Sequence, residues 1–256
     1  MSRTRSVALV IMSFFLIWEI LVRVTKVPNF ILPTPSAIFL EILSDPLWYV
    51  NHSAYTVGAC LLGFALALVI GIAAAIGIVY SRTLENTLYT LLVSLNSIPK
   101  IALAPLFIIW MGTGLSSKVA ISMLIALFAI VIDTVLGLRS VDPDVIGMSR
   151  SMKASPLQVL WKIRFPTALP YMFAGMKVAI SLALVGAIAG EFVASQVGLG
   201  YVIMTGQGMF QTTRVFAAIV LLGVIGTILF YAINLIERFV IPWHVSQRGG
   251  HSGAHG

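Results

Sequence analysis

Long apolar stretches alternate with short polar gaps along the chain, and six of these stretches contain no more than two charged residues each. A helix of about 20 apolar residues crosses the hydrocarbon core of a bilayer. The pattern therefore predicts an all-α, polytopic membrane protein with six transmembrane helices in a single domain, residues 1–245. The predicted spans are residues 7–24, 55–80, 86–112, 118–138, 171–195 and 214–236.

Two of these spans depart from a plain apolar helix. The third contains Ser97, Pro99 and Pro105. Because proline removes a helical hydrogen bond, we expect a kinked or broken helix whose freed backbone groups face protein or water. The first span follows two arginines, as the apolar region of a signal peptide does, but it ends without the small residues of a cleavage site. We therefore expect it to remain as a transmembrane helix.

Lysines and arginines are distributed unevenly between the two sets of alternate gaps, and positive residues are retained in the cytoplasm. We therefore expect both termini in the cytoplasm and residues 139–170 to form the main cytoplasmic loop. The polar, glycine-rich tail at 246–256 is predicted to be a disordered cytoplasmic segment. The cytoplasmic set is Arg3, Arg5, Arg82, Arg139, Arg150, Lys153, Lys162, Arg164, Arg238 and Arg248, against Arg23, Lys26, Lys118 and Arg214 outside.

Composition agrees with a membrane location and excludes other classes. Hydrophobic residues make up 59 % of the chain and charged residues 10 %, whereas soluble proteins average about 25 % charged. The net charge of +7 lies in the gaps and not in a basic stripe, so we expect contact with lipid and no nucleic-acid binding. Cys60 is interpreted as a small buried side chain. His251 and His255 lack neighbouring carboxylates, so we expect no metal site.

The loop at 139–170 carries two helix start signals. Asp142 precedes Pro143, and Ser155 precedes Pro156; in both pairs a capping residue is followed by a proline suited to the first helical turn. Two short helices are predicted, over about 143–153 and from Pro156 to near residue 166. Their apolar and basic side chains suit a docking surface for a cytosolic partner, or else a helix pair lying on lipid headgroups.

Five segments of this chain resemble the permeases of bacterial ATP-binding-cassette importers, in the branch that serves nitrate, sulfonate, taurine, bicarbonate and thiamine-precursor pyrimidines. The resemblance covers most of the chain and keeps the order and spacing of the segments. They are the loop at 142–170, SIPKIALAPLFIIWMGTG at 97–114, TALPYMFAGMK at 167–177, GEFVAS at 190–195 and GLGYVI at 198–203.

The resemblance implies a type I importer permease-like bundle with a cytoplasmic coupling-helix loop in a bacterial inner membrane. It implies a homodimer, two cytosolic ATP-binding subunits and a periplasmic solute-binding protein that delivers a small polar solute of the sulfonate or taurine, nitrate or pyrimidine-precursor type. The chain itself is then non-catalytic and binds no cofactor, while ATP and Mg are held by the partner ATPase. The alternative is a secondary transporter or channel that acts without an ATPase.

The resemblance also places the ATPase-coupling residues. The family's Glu-Ala-Ala positions correspond to Gly147, Met148 and Ser149, and its glycine position corresponds to Lys153. These departures remove an acidic group and add a cation, so we expect a dedicated ATPase with a differently charged groove. The predicted coupling residues are Gly147, Met148, Ser149, Met152, Lys153, Ala154, Ser155 and Leu157.

Charged residues inside the predicted spans need a reason, because an ionised group at the helix centre costs at least about 2.5–3.5 kcal/mol. Asp133 and Lys177 lie at similar predicted depths, and we hypothesise that they form an ion pair. Glu191 is predicted either to line the pathway or a gate, or to make a structural hydrogen bond to a neighbouring span. Glu19 is interpreted as snorkelling or contacting another helix. The candidate pathway or gate residues are Asn96, Asp133, Lys177 and Glu191.

Overall fold

The computed structural model describes residues 3–89, 94 and 98–242, and every regular element within them is helical. Eleven α-helices are numbered here in chain order. A π-helical turn, Glu85–Tyr89, follows α4, a 3₁₀ turn, Lys100–Leu103, precedes α5, and a second π-helical turn, Leu160–Arg164, joins α8 to α9. The helices are α1 Arg3–Thr25, α2 Pro35–Ser44, α3 Pro46–Tyr80, α4 Arg82–Leu84, α5 Ala104–Met111, α6 Leu115–Arg139, α7 Pro143–Ser151, α8 Pro156–Val159, α9 Phe165–Val193, α10 Leu199–Gly208 and α11 Thr212–Val240.

Four helices in the described residues are long and apolar enough to cross a membrane: α3, α6, Pro156–Val193 and α11. They confirm the second, fourth, fifth and sixth predicted spans as helices of the required length and composition. The first predicted span is helical as α1, with 23 residues. That α1 crosses the membrane stays a prediction.

The third predicted span lies partly outside the described residues. Where it is described, it is interrupted as expected: Pro99 is not helical, and Pro105 stands in the first turn of α5. A proline is tolerated in the first turn because the amide hydrogen that it lacks has no helical partner there. Asn96, Ser97, His251, His255 and the tail at 246–256 lie outside the described residues.

The fifth span begins earlier than predicted. The prediction ended the second loop helix near Pro166, but helical structure runs without a break over Pro156–Val193 and includes Pro170. In the π-helical turn Leu160–Arg164 the Phe165 N–H donates to the Leu160 carbonyl, five residues back. This wider turn stands directly before Pro166 and relaxes the crowding that proline causes in an α-helix. The second loop helix and the span are therefore one continuous helix.

The chain forms two compact units. The first contains residues 1–57 and 191–225. Its buried core joins α2, α3, α10 and α11 through small and branched apolar side chains packed with partly buried aromatic rings. The buried residues of this core are Ile38, Tyr49, Leu199, Val202, Ala217 and Ala218, with Trp18, Trp48 and Phe216 packed against them.

The second unit contains residues 58–190 and 226 onwards. Here glycines allow helices to approach closely: a Cβ added to Gly63 would lie 2.5 Å from the Ser122 Cβ, and one added to Gly186 would lie 2.6 Å from the Ser122 Cα. Ser122 also donates a hydrogen bond of 2.8 Å to the Ala183 carbonyl. Small residues at helix contacts are the usual means by which membrane helices associate. The position of α6 against α3 and α9 therefore depends on these glycines.

Candidate functional site

The two loop helices begin where the sequence predicts. The Asp142 Oδ1 accepts a hydrogen bond of 2.9 Å from the Asp144 N–H at the start of α7. At the start of α8, the Ser155 hydroxyl accepts from the Gln158 N–H at 3.3 Å, and the Gln158 side chain accepts from the Ser155 N–H at 2.8 Å. This is a complete capping box, which satisfies two amide groups that the helix leaves free. Local residues therefore determine both helix starts.

The end of α7 has a backbone geometry that favours glycine. Lys153 has a φ of 57°. Its N–H donates to the Arg150 carbonyl at 2.9 Å, and the Ala154 N–H donates to the Ser149 carbonyl at 3.0 Å. This pair of bonds is the Schellman motif, in which the left-handed residue is usually glycine. The position that the resemblance assigned to the family's glycine is thus one where glycine would be unstrained.

Large apolar side chains are exposed on the two loop helices. Met148 is 62 % exposed, Met152 76 %, Leu157 65 % and Trp161 55 %. Four exposed apolar residues on one short loop form a surface that water does not favour, so they indicate contact with a partner or with lipid. We call Met148, Met152, Leu157 and Trp161 the docking surface.

The other predicted coupling residues fall into three groups. Gly147, Lys153 and Ser155 are exposed, and a Cβ at Gly147 would meet no atom within 4 Å. Ala154 is half-buried. Ser149 is buried and donates to the Ile146 carbonyl at 2.8 Å, so its side chain stabilises α7 and is not presented to a partner. A cavity of about 500 Å³ lies beside them, lined by residues that include Ser149, Met152, Lys153, Ala154 and Lys162.

Hydrogen bonds attach this loop to the spans of the second unit. The Tyr80 hydroxyl at the end of α3 donates to the Pro156 carbonyl at 3.1 Å. The Arg164 guanidinium donates to the Leu138 carbonyl near the end of α6 at 2.7 Å. Leu160 also packs into a buried cluster with Leu138 and other apolar residues. A force on the loop therefore acts on three helices together.

Glu191 is bound by hydrogen-bond donors within the first unit. It is 1 % exposed. Its carboxylate accepts from the Thr56 hydroxyl at 2.8 Å and from the Gly200 N–H at 2.7 Å. The Thr56 oxygen in turn accepts from the Leu199 N–H at 2.9 Å. Glu191 and Thr56 thus satisfy two amides at the start of α10, where a negative charge is also favoured by the helix dipole.

The turn before α10 closes around the same carboxylate. Gly198 has a φ of 113°, and a Cβ at this position would overlap the Glu191 carboxyl group. The Gly198 N–H donates to His52 Nδ1 at 2.9 Å. These contacts favour the structural role among the two that the sequence allowed for Glu191. Its role in a pathway or gate stays a prediction, as does that of Asn96.

The hypothesis that Asp133 and Lys177 form an ion pair is wrong. Lys177 on α9 pairs with Glu237 on α11. Asp133 on α6 instead faces Gly175, and its Oδ2 would lie 2.8 Å from a Cβ there. Residues two apart on a helix point about 200° apart, so a helix that turns Gly175 toward Asp133 turns Lys177 away. Similar depth in the membrane did not imply the same side of the helix.

Two charged residues are more deeply buried than their places in the sequence indicated. Glu237 was left out because the predicted last span ended at residue 236, whereas α11 continues to Val240 and Glu237 is 6 % exposed. Lys118 was counted in an outer gap, but it is fully buried, and its ammonium group donates to the Thr113 carbonyl. Glu19 makes the expected helix contact, because it accepts from the Ser36 N–H at 3.0 Å.

The long apolar helices, the interrupted third segment and the loop bound to the spans define a polytopic membrane protein. Residues 67–242 match the family model of the binding-protein-dependent transport system inner membrane component. The chain belongs to this family, and the resemblance found in the sequence is confirmed.

The chain is similar to transport permeases over nearly its whole length. It is 36 % identical to the riboflavin transport system permease protein of Chloroflexus aurantiacus, over 92 % of this chain and 89 % of the relative. It is 34 % identical to the formylaminopyrimidine transport permease protein of Halalkalibacterium halodurans, over 90 % of this chain and 92 % of the relative.

A solved structure has the same fold. A chain of the MetNI methionine ABC transporter, determined in inward-facing conformations, superposes with a TM-score of 0.66 at 22 % identity. The superposition covers 76 % of this chain and 97 % of that chain. The predicted type I importer permease-like bundle is confirmed.

Proposed function

We propose that this chain forms a homodimer that provides the translocation pathway of an ATP-driven importer in a bacterial inner membrane, with both termini in the cytoplasm. Two cytosolic ATP-binding subunits hold ATP and Mg and dock on the loop helices, and a periplasmic binding protein delivers the solute. The chain itself has no catalytic role. The docking surface carries this proposal, because its four exposed apolar side chains stand on a loop bound to the spans.

Docking at this surface gives ATP a mechanical route to the membrane. Closure of two ATPases around ATP would draw the two loops of the dimer together. Each loop continues into a span as the helix Pro156–Val193, so the displacement reaches the bilayer along continuous helical structure. The complex then shifts between inward-open and outward-open populations according to which of them the ATPases bind better. Hydrolysis reverses the shift.

We expect the solute to be a small polar molecule, with nitrogen heterocycles of the pyrimidine-precursor type as the first candidates. The two relatives named above carry riboflavin and formylaminopyrimidine in their names, and both compounds are nitrogen heterocycles. Taurine or another sulfonate, and nitrate, are the other candidates. Uptake into vesicles that contain the whole complex distinguishes them: saturable, ATP-dependent uptake of one class, with no uptake of the others, identifies the solute.

Docking is tested by removing one apolar side chain from the docking surface. We expect Leu157→Ser to lower the amount of ATPase that co-purifies with the chain by about tenfold, because truncation of a central interface residue costs more than 1 kcal/mol. Leu47→Ser is the matched control, since Leu47 is 70 % exposed on α3 in the other unit. Equal loss in both variants, or solute uptake by the chain without any ATPase, would contradict the proposal. Unchanged co-purification of the ATPase in Leu157→Ser would support contact of this surface with lipid instead.

A further inference from the structure

A buried ion pair connects α9 to α11 in the second unit. The Lys177 ammonium contacts the Glu237 carboxylate, and these side chains are 22 % and 7 % exposed. Charged groups at such depth are costly unless they are paired, and removing one partner leaves the other charge unpaired. The pair therefore constrains the two helices to stay together at this point.

Lys177 stands on the helix that begins in the loop at residues 139–170. This loop carries the docking surface, and we call it the docking loop. From Leu157 to Lys177 the chain is helical throughout, which at 1.5 Å per residue is about 30 Å of helix. This stretch includes the π-helical turn and Pro170 but has no break in helical structure, so displacement of the loop is carried along it to the ammonium group of Lys177.

Among residues 226–240, the part of α11 in the second unit, Glu237 is buried and the other residues are half-buried or exposed. In the most apolar stretch of α11, 11 % of the residues are buried. In the corresponding stretch of Pro156–Val193, 56 % are buried. A Cβ at Gly226 of α11 would lie 3.3 Å from the Leu184 side chain on α9, closer than an ordinary van der Waals contact, so the two helices also approach each other there. The partly buried Lys177–Glu237 pair therefore joins α9 to a part of α11 that is otherwise half-buried or exposed.

We propose that the Lys177–Glu237 pair transmits movement of the docking loop to α11, so that α11 moves with each ATP-driven step. Lys177 and Glu237 are then positioning residues, and neither has to contact the solute. Asp133 cannot replace Glu237 in this role, because it faces Gly175 on another side of α9. The inference rests on the proposed docking of an ATPase to the loop.

The test follows two positions in the reconstituted complex of this chain with its ATPase. Spin labels are attached at Ser151→Cys on the loop and, separately, at Phe239→Cys on α11, which is 78 % exposed. The native Cys60 is buried and does not compete for the label. The distance between the two copies of a label in the dimer is measured by pulsed EPR before and after addition of ATP and vanadate, so no solute is required.

We expect both distances to change in the complex with the native pair. In Lys177→Gln and in Glu237→Gln, the distance at 151 still changes, whereas the change at 239 is lost. The exchanged pair Lys177→Glu with Glu237→Lys restores the change at 239. Glu85→Gln is the matched control: it neutralises a carboxylate whose 2.7 Å pair with Arg139 is exposed, and we expect it to leave both changes intact.

Two results would overturn the inference. One is a change at 239 in Lys177→Gln as large as with the native pair. The other is a folded exchanged variant in which the distance between the labels at 239 does not change on addition of ATP and vanadate. This second result is decisive even if the single variants fail to fold. If the distance at 151 does not change with ATP in the complex with the native pair, the docking proposal is refuted. The proposed role of the Lys177–Glu237 pair is then refuted with it.

Discussion

Lys153 shows how one residue departs from the preference of its backbone. It occupies the left-handed position of a Schellman motif with a φ of 57°, and Phe210 takes the same position at the end of α10 with a φ of 56°. The exposed Lys153 side chain adds a positive charge beside the docking surface, and a differently charged ATPase groove stays a prediction.

Replacement of Lys153 by glycine tests this strain. We expect Lys153→Gly to stabilise the chain by about 1 kcal/mol, because glycine adopts positive φ without a Cβ clash. In detergent, this raises the thermal transition by roughly 2–4 °C for a protein of this size. Lys153→Ala removes the charge and keeps the Cβ, so its transition should not rise. A rise of the same size in both variants would assign the effect to charge.

At the scale of elements, α10 depends on groups supplied by other helices. Its first amides donate to Thr56 on α3 and to Glu191 at the end of α9. Since Gly198 leaves no side chain of its own to cap the helix, these two residues replace a local N-cap. A helix that is capped from a distance keeps its start only while the three helices stay packed.

The variant Thr56→Val removes the shared hydroxyl and keeps the side-chain shape. We expect it to destabilise the first unit by about 1–3 kcal/mol, because a buried carboxylate and a buried amide each lose a partner. Hydrogen exchange at the amides of residues 199–202 should then be faster. Thr205→Val is the control, since Thr205 bonds carbonyls within α10 itself. The capping role is refuted if exchange at 199–202 is as slow in Thr56→Val as in this control.

At the scale of the whole molecule, topology decides which surface meets which partner. The uneven distribution of lysine and arginine predicts that the docking surface is cytoplasmic and that the segment around α2 is external. Every part of the proposed function depends on this orientation, because the ATPases and the binding protein act on opposite sides of the membrane.

Orientation is tested by thiol labelling in intact spheroplasts with a reagent that does not cross membranes. We expect Ser44→Cys to react at once and Ser151→Cys to react after the membrane is permeabilised. Both positions are exposed, so accessibility within the protein does not limit either reaction. The unmodified chain, in which Cys60 is buried, provides the background. Immediate labelling at 151 without labelling at 44 would reverse the proposed topology.

Features that depend on neighbours in the chain could be read from the sequence alone. Apolar length predicts the long helices, and Asp142 and Ser155 predict the two loop helix starts, because a cap acts within three residues. The resemblance located the docking loop for the same reason: its residues are contiguous. Pro166 was misjudged because the π-helical turn that precedes it has no comparable local signal.

The partners of the buried charges depended on packing. Lys177 and Asp133 were correctly seen as charges inside spans, but depth along a helix does not tell which side faces which neighbour. The rotation of α9, set by the close contact of Gly175 with α6, turns Lys177 toward Glu237, 60 residues away. In the same way, Glu191 was recognised as an acid inside a predicted span, while its partners Thr56 and Gly200 became adjacent when α3 and α10 packed around it. Periodicity and local caps therefore define the helices, whereas the contacts that decide their charges arise from tertiary packing, because they join residues far apart in the chain.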